Sequence, residues 1–117
     1  MHQHYQELTK NTANYIPLSP LSFLARTADI FGARTAIIYG DRHYSWQQTY
    51  GRCRALASAL NRNGLGLGDT VSIIAANTPE MYEAHFGVPM AGCVLNTINT
   101  RLEAETIAYI LTDSDSK

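Results

Sequence analysis

The stretch from Thr70 to Lys117 limits the possible folds more than any other part of this chain. Thr70-Val-Ser-Ile-Ile-Ala75 is β-rich and nearly continuously apolar at its end, the pattern of a strand covered on both faces. Asn77-Thr-Pro-Glu80 then opens a helix, because threonine can cap and proline at the first helical position forfeits no hydrogen bond. That helix is apolar on most sides (Met81, Tyr82, Ala84, Phe86, Val88), so burial is expected. Cys93-Val-Leu-Asn-Thr97 reads as a second covered strand. Thr100-x-x-Glu103 reads as the cap of a last helix with Leu102, Ile107, Ile110 and Leu111 inward. Strand, helix, strand, helix with short joints predicts a right-handed βαβ unit with parallel strands, then one more crossover helix. Asp113-Ser-Asp-Ser-Lys117 stands where the next strand should begin, so the unit is expected to be unfinished.

Upstream, residues 1–18 show no period and read as an arm preceding a unit of residues 19–117. Ser19-Pro20 starts a helix carrying Leu21, Leu24, Ala28 and Phe31 at helical spacing, with Gly32 as the stop. Thr35-Ala-Ile-Ile-Tyr39 and His43-Tyr-Ser45 around Gly40-Asp-Arg42 predict a hairpin. Ser45 and Gln48 form a capping box for a helix with Trp46, Tyr50, Cys53, Ala57 and Leu60 on one stripe. Gln47, Arg54, Ser58 and Asn61 lie opposite, and Gly64 ends it. The expected fold is therefore α/β: a partial three-layer sheet with parallel βαβ crossovers, preceded by a helix and a short β-hairpin.

Charge and hydropathy exclude several function classes. Nine Lys plus Arg against ten Asp plus Glu give a net charge of −1, without the basic patch of a nucleic-acid binder. No apolar run approaches the roughly 18–20 residues that span a bilayer. The polar residues 1–14 lack the apolar centre of a signal peptide, and Cys53 and Cys93 fall in apolar patterns. Buried reduced thiols in the cytoplasm are the expectation. Charged residues make up 16%, against roughly 25% in an average soluble domain, which points to a piece of something larger.

The candidate chemical groups weigh toward structural roles. Gly64-Leu-Gly-Leu-Gly68-Asp69 follows a helix and precedes a strand, the reverse of a phosphate loop, so it reads as a helix cap and tight turn. His2-x-His4 lacks a third metal ligand nearby, and Asp113-x-Asp115 lacks the glycine and closing glutamate of a calcium loop. His85 shares a stripe with Met81 and Val88, with Gly87 and Pro89 just beyond, and reads as a core histidine bonded to a carbonyl. The acids read as caps and exposed faces. No catalytic, cofactor-binding or metal-binding residue is assigned.

Asp41-Arg-His-Tyr-Ser-Trp46, Arg54-Ala-Leu-Ala-Ser-Ala-Leu60 and Gly64-Leu-Gly-Leu-Gly-Asp69, taken in this order, resemble the start of the AMP-forming acyl-CoA synthetase family. The resemblance continues through Asn77-Thr-Pro-Glu80, Ala84-His-Phe-Gly-Val-Pro-Met-Ala-Gly92 and Leu95-Asn-Thr-Ile-Asn-Thr-Arg-Leu102, covering residues 17 to 117, and is closest to the fatty-acid and medium-chain branch. It rests on the order and spacing of these pieces together, since no one of them is a fingerprint. It implies a parent enzyme that uses ATP, Mg2+ and coenzyme A to convert a fatty or other carboxylic acid, through an acyl-adenylate, to a thioester. The family's phosphate loop, adenine-binding segment and catalytic lysine have no counterpart in these residues, so this chain alone is expected to be inactive and to bind none of the three cofactors. Its unfinished edge is expected to associate with another copy or with the rest of the enzyme. Two other readings compete. One is a self-contained small α/β interaction or regulatory domain; the other is a flavodoxin-like nucleotide domain, disfavoured because no strand end carries a phosphate loop.

Overall fold

The computed structural model describes residues 9–117, and His2 and His4 lie outside them. Helix α1 (Pro20–Phe31) is followed by strands β1 (Thr35–Tyr39) and β2 (Arg42–Ser45), helix α2 (Trp46–Arg62), strand β3 (Thr70–Ile74), helix α3 (Pro79–Met90), strand β4 (Val94–Ile98) and helix α4 (Ala104–Asp113). β1 and β2 form an antiparallel hairpin, and β3 and β4 pair in parallel from Thr70 opposite Val94 to Ile74 opposite Ile98. The α/β class, the hairpin and the parallel crossover thus stand as expected.

The local signals act through the expected atoms. Ser19 Oγ accepts from Leu21 N, and Ser45 and Gln48 close a reciprocal capping box. Thr78 Oγ1 accepts from Met81 N with Pro79 in the first turn. At the end of α2, Gly64 takes φ +82°; its N–H donates to Asn61 O, and Leu65 N–H donates to Leu60 O. This is a Schellman stop, which satisfies two terminal carbonyls and docks Leu65 on the core beside Leu60. Gly68 donates to Gly92 O and Val94 donates to Asp69 O, so the glycine segment is a strap that sets the start of β3 against the start of β4.

The core lies where α2 and α3 cross and rest on β4. Ala57, Ala84, Val88, Ala91 and Cys93 are buried together, with Leu56, Leu60, Val71, Ile73 and Leu95 packed around them. Cys53 and Cys93 are both buried and unpaired. Burial pushes the Cys53 thiol up to about 11, with the nearby Glu83 carboxylate adding to the effect. Cys53 is therefore expected to resist a thiol reagent at pH 8 in the native protein. Titration after denaturation without reductant should give two thiols per chain, and zero would overturn the unpaired assignment.

Several expectations need correction. Gly32 ends α1 in a right-handed conformation (φ −48°), so its place there is steric and not a left-handed cap. The last helix starts at Ala104, not after Thr100: Asn99 Oδ1 accepts from Arg101 N and turns the chain first, leaving Glu103 as a cap without a side-chain bond. β3 and β4 are not covered on both faces within this chain, since Ile74 is 48% and Val94 54% exposed. The final residues, by contrast, begin a strand where their position predicts one. Asp115 takes φ +48°, Ser116 bridges Thr70 in parallel, and Lys117 N–H donates to Thr70 O, so a third parallel strand begins beside β3. Ser72 Oγ lies 2.5 Å from Ser116 Oγ and accepts from Asn96 Nδ2 at 2.9 Å, a polar seam no periodicity announced.

Candidate functional site

Two grooves meet at the start of α3. The smaller, about 500 Å3, lies at the carboxyl ends of β3 and β4, lined by Ala75, Asn77, Met81, Thr97, Asn99 and Thr100 among others. Open α/β sheets place ligands outside the carboxyl ends of their strands. The larger, about 690 Å3, runs between β1 and α3, with Ile37, Tyr39, Met81, Tyr82 and Phe86 in its walls. Tyr82 and Phe86 stand with ring centroids 5.4 Å apart, tilted by 50°.

His85 lines both grooves and is exposed, which corrects its reading as a core histidine. The expected carbonyl partner is real: His85 Nδ1 donates to Met81 O at 2.8 Å. The stripe shared with Met81 and Val88 carries no sign that this part of α3 faces open grooves.

The acids are not all exposed, either. Glu83 is 6% exposed in α3 and is held by Arg52 of α2, whose Nε and Nη2 donate to its two oxygens, Nη2 to Oε2 at 3.1 Å. Arg52 also lies 4.7 Å over the Tyr44 ring. A second glutamate, beyond the first turn of a helix that is mostly apolar, was the available signal. Arg42 of β2 grips Glu80 at the head of α3, Nη1 to Oε1 at 2.6 Å and Nη2 to Oε2 at 3.3 Å. These two pairs tie α2 and the hairpin to α3.

The Arg42 guanidinium holds the Glu80 carboxyl down at about 2, with the Glu80 backbone N–H and the Thr78 hydroxyl assisting. A depressed carboxylate contributes stability above its ordinary value near 4.5 and loses it as pH falls through about 2. The stability difference between wild type and Glu80→Gln, followed by urea melts, is therefore expected to be constant near neutrality and to shrink from pH 4.5 to 2. A difference independent of pH across that range would contradict the pairing.

Among the described residues no three His, Cys, Asp or Glu side chains come together to hold a metal. Asp113 and Asp115 sit at the end of α4, Asp115 in an ion pair with Lys117 at 3.2 Å. Neither groove is lined by a lysine, an arginine or a glycine-rich loop. The residues present do not fit a triphosphate or its metal ion.

Residues 24–117 match the family described as AMP-binding enzyme. The chain belongs to the AMP-binding enzyme family. It is 56% identical over 110 residues to an acetate–CoA ligase of Humulus lupulus, covering 94% of this chain and 19% of that protein. A peroxisomal trans-cinnamate:CoA ligase of Petunia hybrida is 52% identical over 111 residues, covering 95% and 20%. Among solved structures, a Rhodopseudomonas palustris protein provisionally named a long-chain-fatty-acid CoA ligase superposes with a TM-score of 0.80 at 32% identity, covering 85% of this chain and 25% of that one. The N-terminal subdomain of Klebsiella oxytoca NpsA, in complex with 3-hydroxyanthranilyl-AMSN, gives 0.75 at 26% identity, covering 83% and 25%. The chain thus spans about a fifth of the length of the curated relatives it matches. The relatives are CoA ligases, and nothing among them supports the reading as a self-contained interaction domain. No helix of the described residues is long and apolar enough to cross a membrane.

Proposed function

We propose that this chain serves as the opening of the large N-terminal domain (residues 19–117, behind an arm of residues 1–18) of an ATP-dependent acyl-CoA ligase. Such an enzyme joins a carboxylic acid to coenzyme A with release of AMP and pyrophosphate, in the presence of Mg2+. The observation that carries the reading is 56% identity across 94% of the chain to an acetate–CoA ligase. The named relatives act on acetate, butyrate and trans-cinnamate, which supports a fatty or other carboxylic acid as the substrate class. The two unpaired, buried thiols suit a reducing compartment, and we place the protein in the cytoplasm, although several relatives are named peroxisomal.

The role of these residues in that enzyme is to build and brace. The glycine strap aligns β3 with β4, and the two arginine–glutamate pairs hold α3, which carries His85 in its second turn, with Asn77 just ahead of the helix, at the carboxyl ends of the strands. No residue here is assigned to the chemical step. The chain by itself is expected to give no pyrophosphate exchange with ATP, Mg2+ and acetate, butyrate or octanoate. Co-expressed with the part of the Humulus ligase that follows its matched segment, it should support exchange and thioester formation. Turnover by the chain alone would overturn the inactive assignment. A co-purified complex that stays silent with all three acids would overturn the ligase reading.

A further inference from the structure

We propose that the outer face of α1 is a contact between two copies of this chain, whose α1 helices lie antiparallel about a two-fold axis at Thr27. The contact is independent of the ligase reading and adds a subunit interface to it.

α1 is apolar on two sides. Leu24 and Ala28 are buried on the inner side. On the outer side Phe23 is 66% and Ile30 56% exposed, where a surface helix ordinarily carries polar residues. Seven residues are close to two helical turns, so Phe23 and Ile30 share one stripe. Leu18 just before the helix and Phe31 at its end are exposed as well, so apolar surface runs the length of the element. Contiguous apolar surface of this kind marks a contact. Within the stripe Thr27 Oγ1 donates to Phe23 O at 2.7 Å, so its hydroxyl needs no partner across a seam. Arg26 and Asp29 lie together on one flank of the stripe, with Thr27 and Phe31 on the other. Both charges are exposed, and no ion pair among the described residues uses either.

The symmetry of this pattern selects a second copy as the occupant. A two-fold contact must be self-complementary. In an antiparallel pair each flank faces the same flank of the second helix. Centred at Thr27, such a pair sets Phe23 against Ile30 and Phe31 of the second copy, because these stand nearly equal distances either side of the axis. Arg26 then meets Asp29 of the second copy, and the same pair repeats across the axis. A parallel pair would turn this flank toward Thr27 and Phe31 and leave all four charges unmatched. With one cation and one anion, the flank offers an anionic membrane no net attraction. A helix of 12 residues makes a small seam, so the dimer is reversible.

The test is a dilution series of the chain from about 1 μM to about 1 mM, followed by sedimentation and light scattering. Monomer should pass to dimer and no further. Arg26→Glu alone and Asp29→Lys alone should each weaken the dimer by about tenfold or more, since each sets like charges together twice. An equimolar mixture of these two variants should associate at least as tightly as the wild type, because each chain supplies the charges the other lacks. The double variant Arg26→Glu/Asp29→Lys should dimerise again, and Ile30→Lys should not dimerise. These positions are exposed, so the melting of the dilute chain should not change. A chain still monomeric at about 1 mM would overturn the proposal, as would open-ended association or a mixture that stays apart. A dimer indifferent to these substitutions would overturn it too, and would assign association to the unfinished sheet. So would loss of the dimer in complex with the same Humulus polypeptide, since the rest of the enzyme would then cover α1. Binding of the monomer to phosphatidylserine vesicles that Ile30→Lys prevents would likewise overturn it. A complex that dimerises through α1 but shows no turnover overturns the ligase reading alone.

Discussion

Arg52→Met is expected to cost about 2–4 kcal/mol of folding stability, measured by urea denaturation at pH 7. The substitution removes the partner of a carboxylate that is 6% exposed, and an unpaired buried charge costs far more than the pair contributed. The lower part of the range applies because the Arg52 side chain is itself 40% exposed, so water partly screens the pair. Methionine keeps much of the packing against Tyr44, which isolates the charge. The double variant Arg52→Met/Glu83→Met should recover most of the loss, since removing both charges leaves nothing stranded. A single-variant loss below about 1 kcal/mol would mean that Glu83 reaches water or takes a proton instead.

Two glycine-to-alanine substitutions are expected to move stability in opposite directions. Intrinsic propensity favours alanine over glycine inside a helix by about 1 kcal/mol at either site. At Gly51 in α2 an added Cβ meets nothing within 4 Å, so Gly51→Ala should stabilise by about that amount. At Gly87 in α3 it would lie 2.7 Å from Leu56 Cδ2 and 2.9 Å from the backbone oxygen of Cys53. Leu56 can rotate, but the carbonyl belongs to the α2 ladder, so the helices must part and loosen the core around Ala57 and Val88. Overpacking of this kind costs about 1–3 kcal/mol, occasionally more, which outweighs the propensity gain. Gly87→Ala should therefore destabilise by about 1–2 kcal/mol net, and Gly87→Val by more. Equal shifts at both positions would show that α2 and α3 do not pack through Gly87.

These substitutions also mark how far the linear reading reaches. Ser19, Ser45, Thr78 and Gly64 declare their caps because the bonds they make close within a few residues, so their meaning is independent of the rest of the chain. The reading of Thr100 failed by the same logic: Asn99 offered an equally local bond to Arg101, and two local options cannot be ranked by spacing alone. The site was less legible. His85 was singled out as a residue and misplaced in depth, and the β1–α3 groove was not anticipated.

What the sequence by itself determined is the order of elements, the parallel crossover, the structural role of the glycine segment and, through the ordered motifs, the family. Each rests on periodicity or on bonds between near neighbours. What the tertiary structure decided is which faces meet: that Glu83 finds Arg52 thirty-one positions away, that Gly87 is where two helices touch, and that the edge of β1 looks across a groove at Tyr82 and Phe86. Periodicity tells which side of an element is apolar but not what lies opposite it. Partners distant in the chain are set by the packing of all the elements at once.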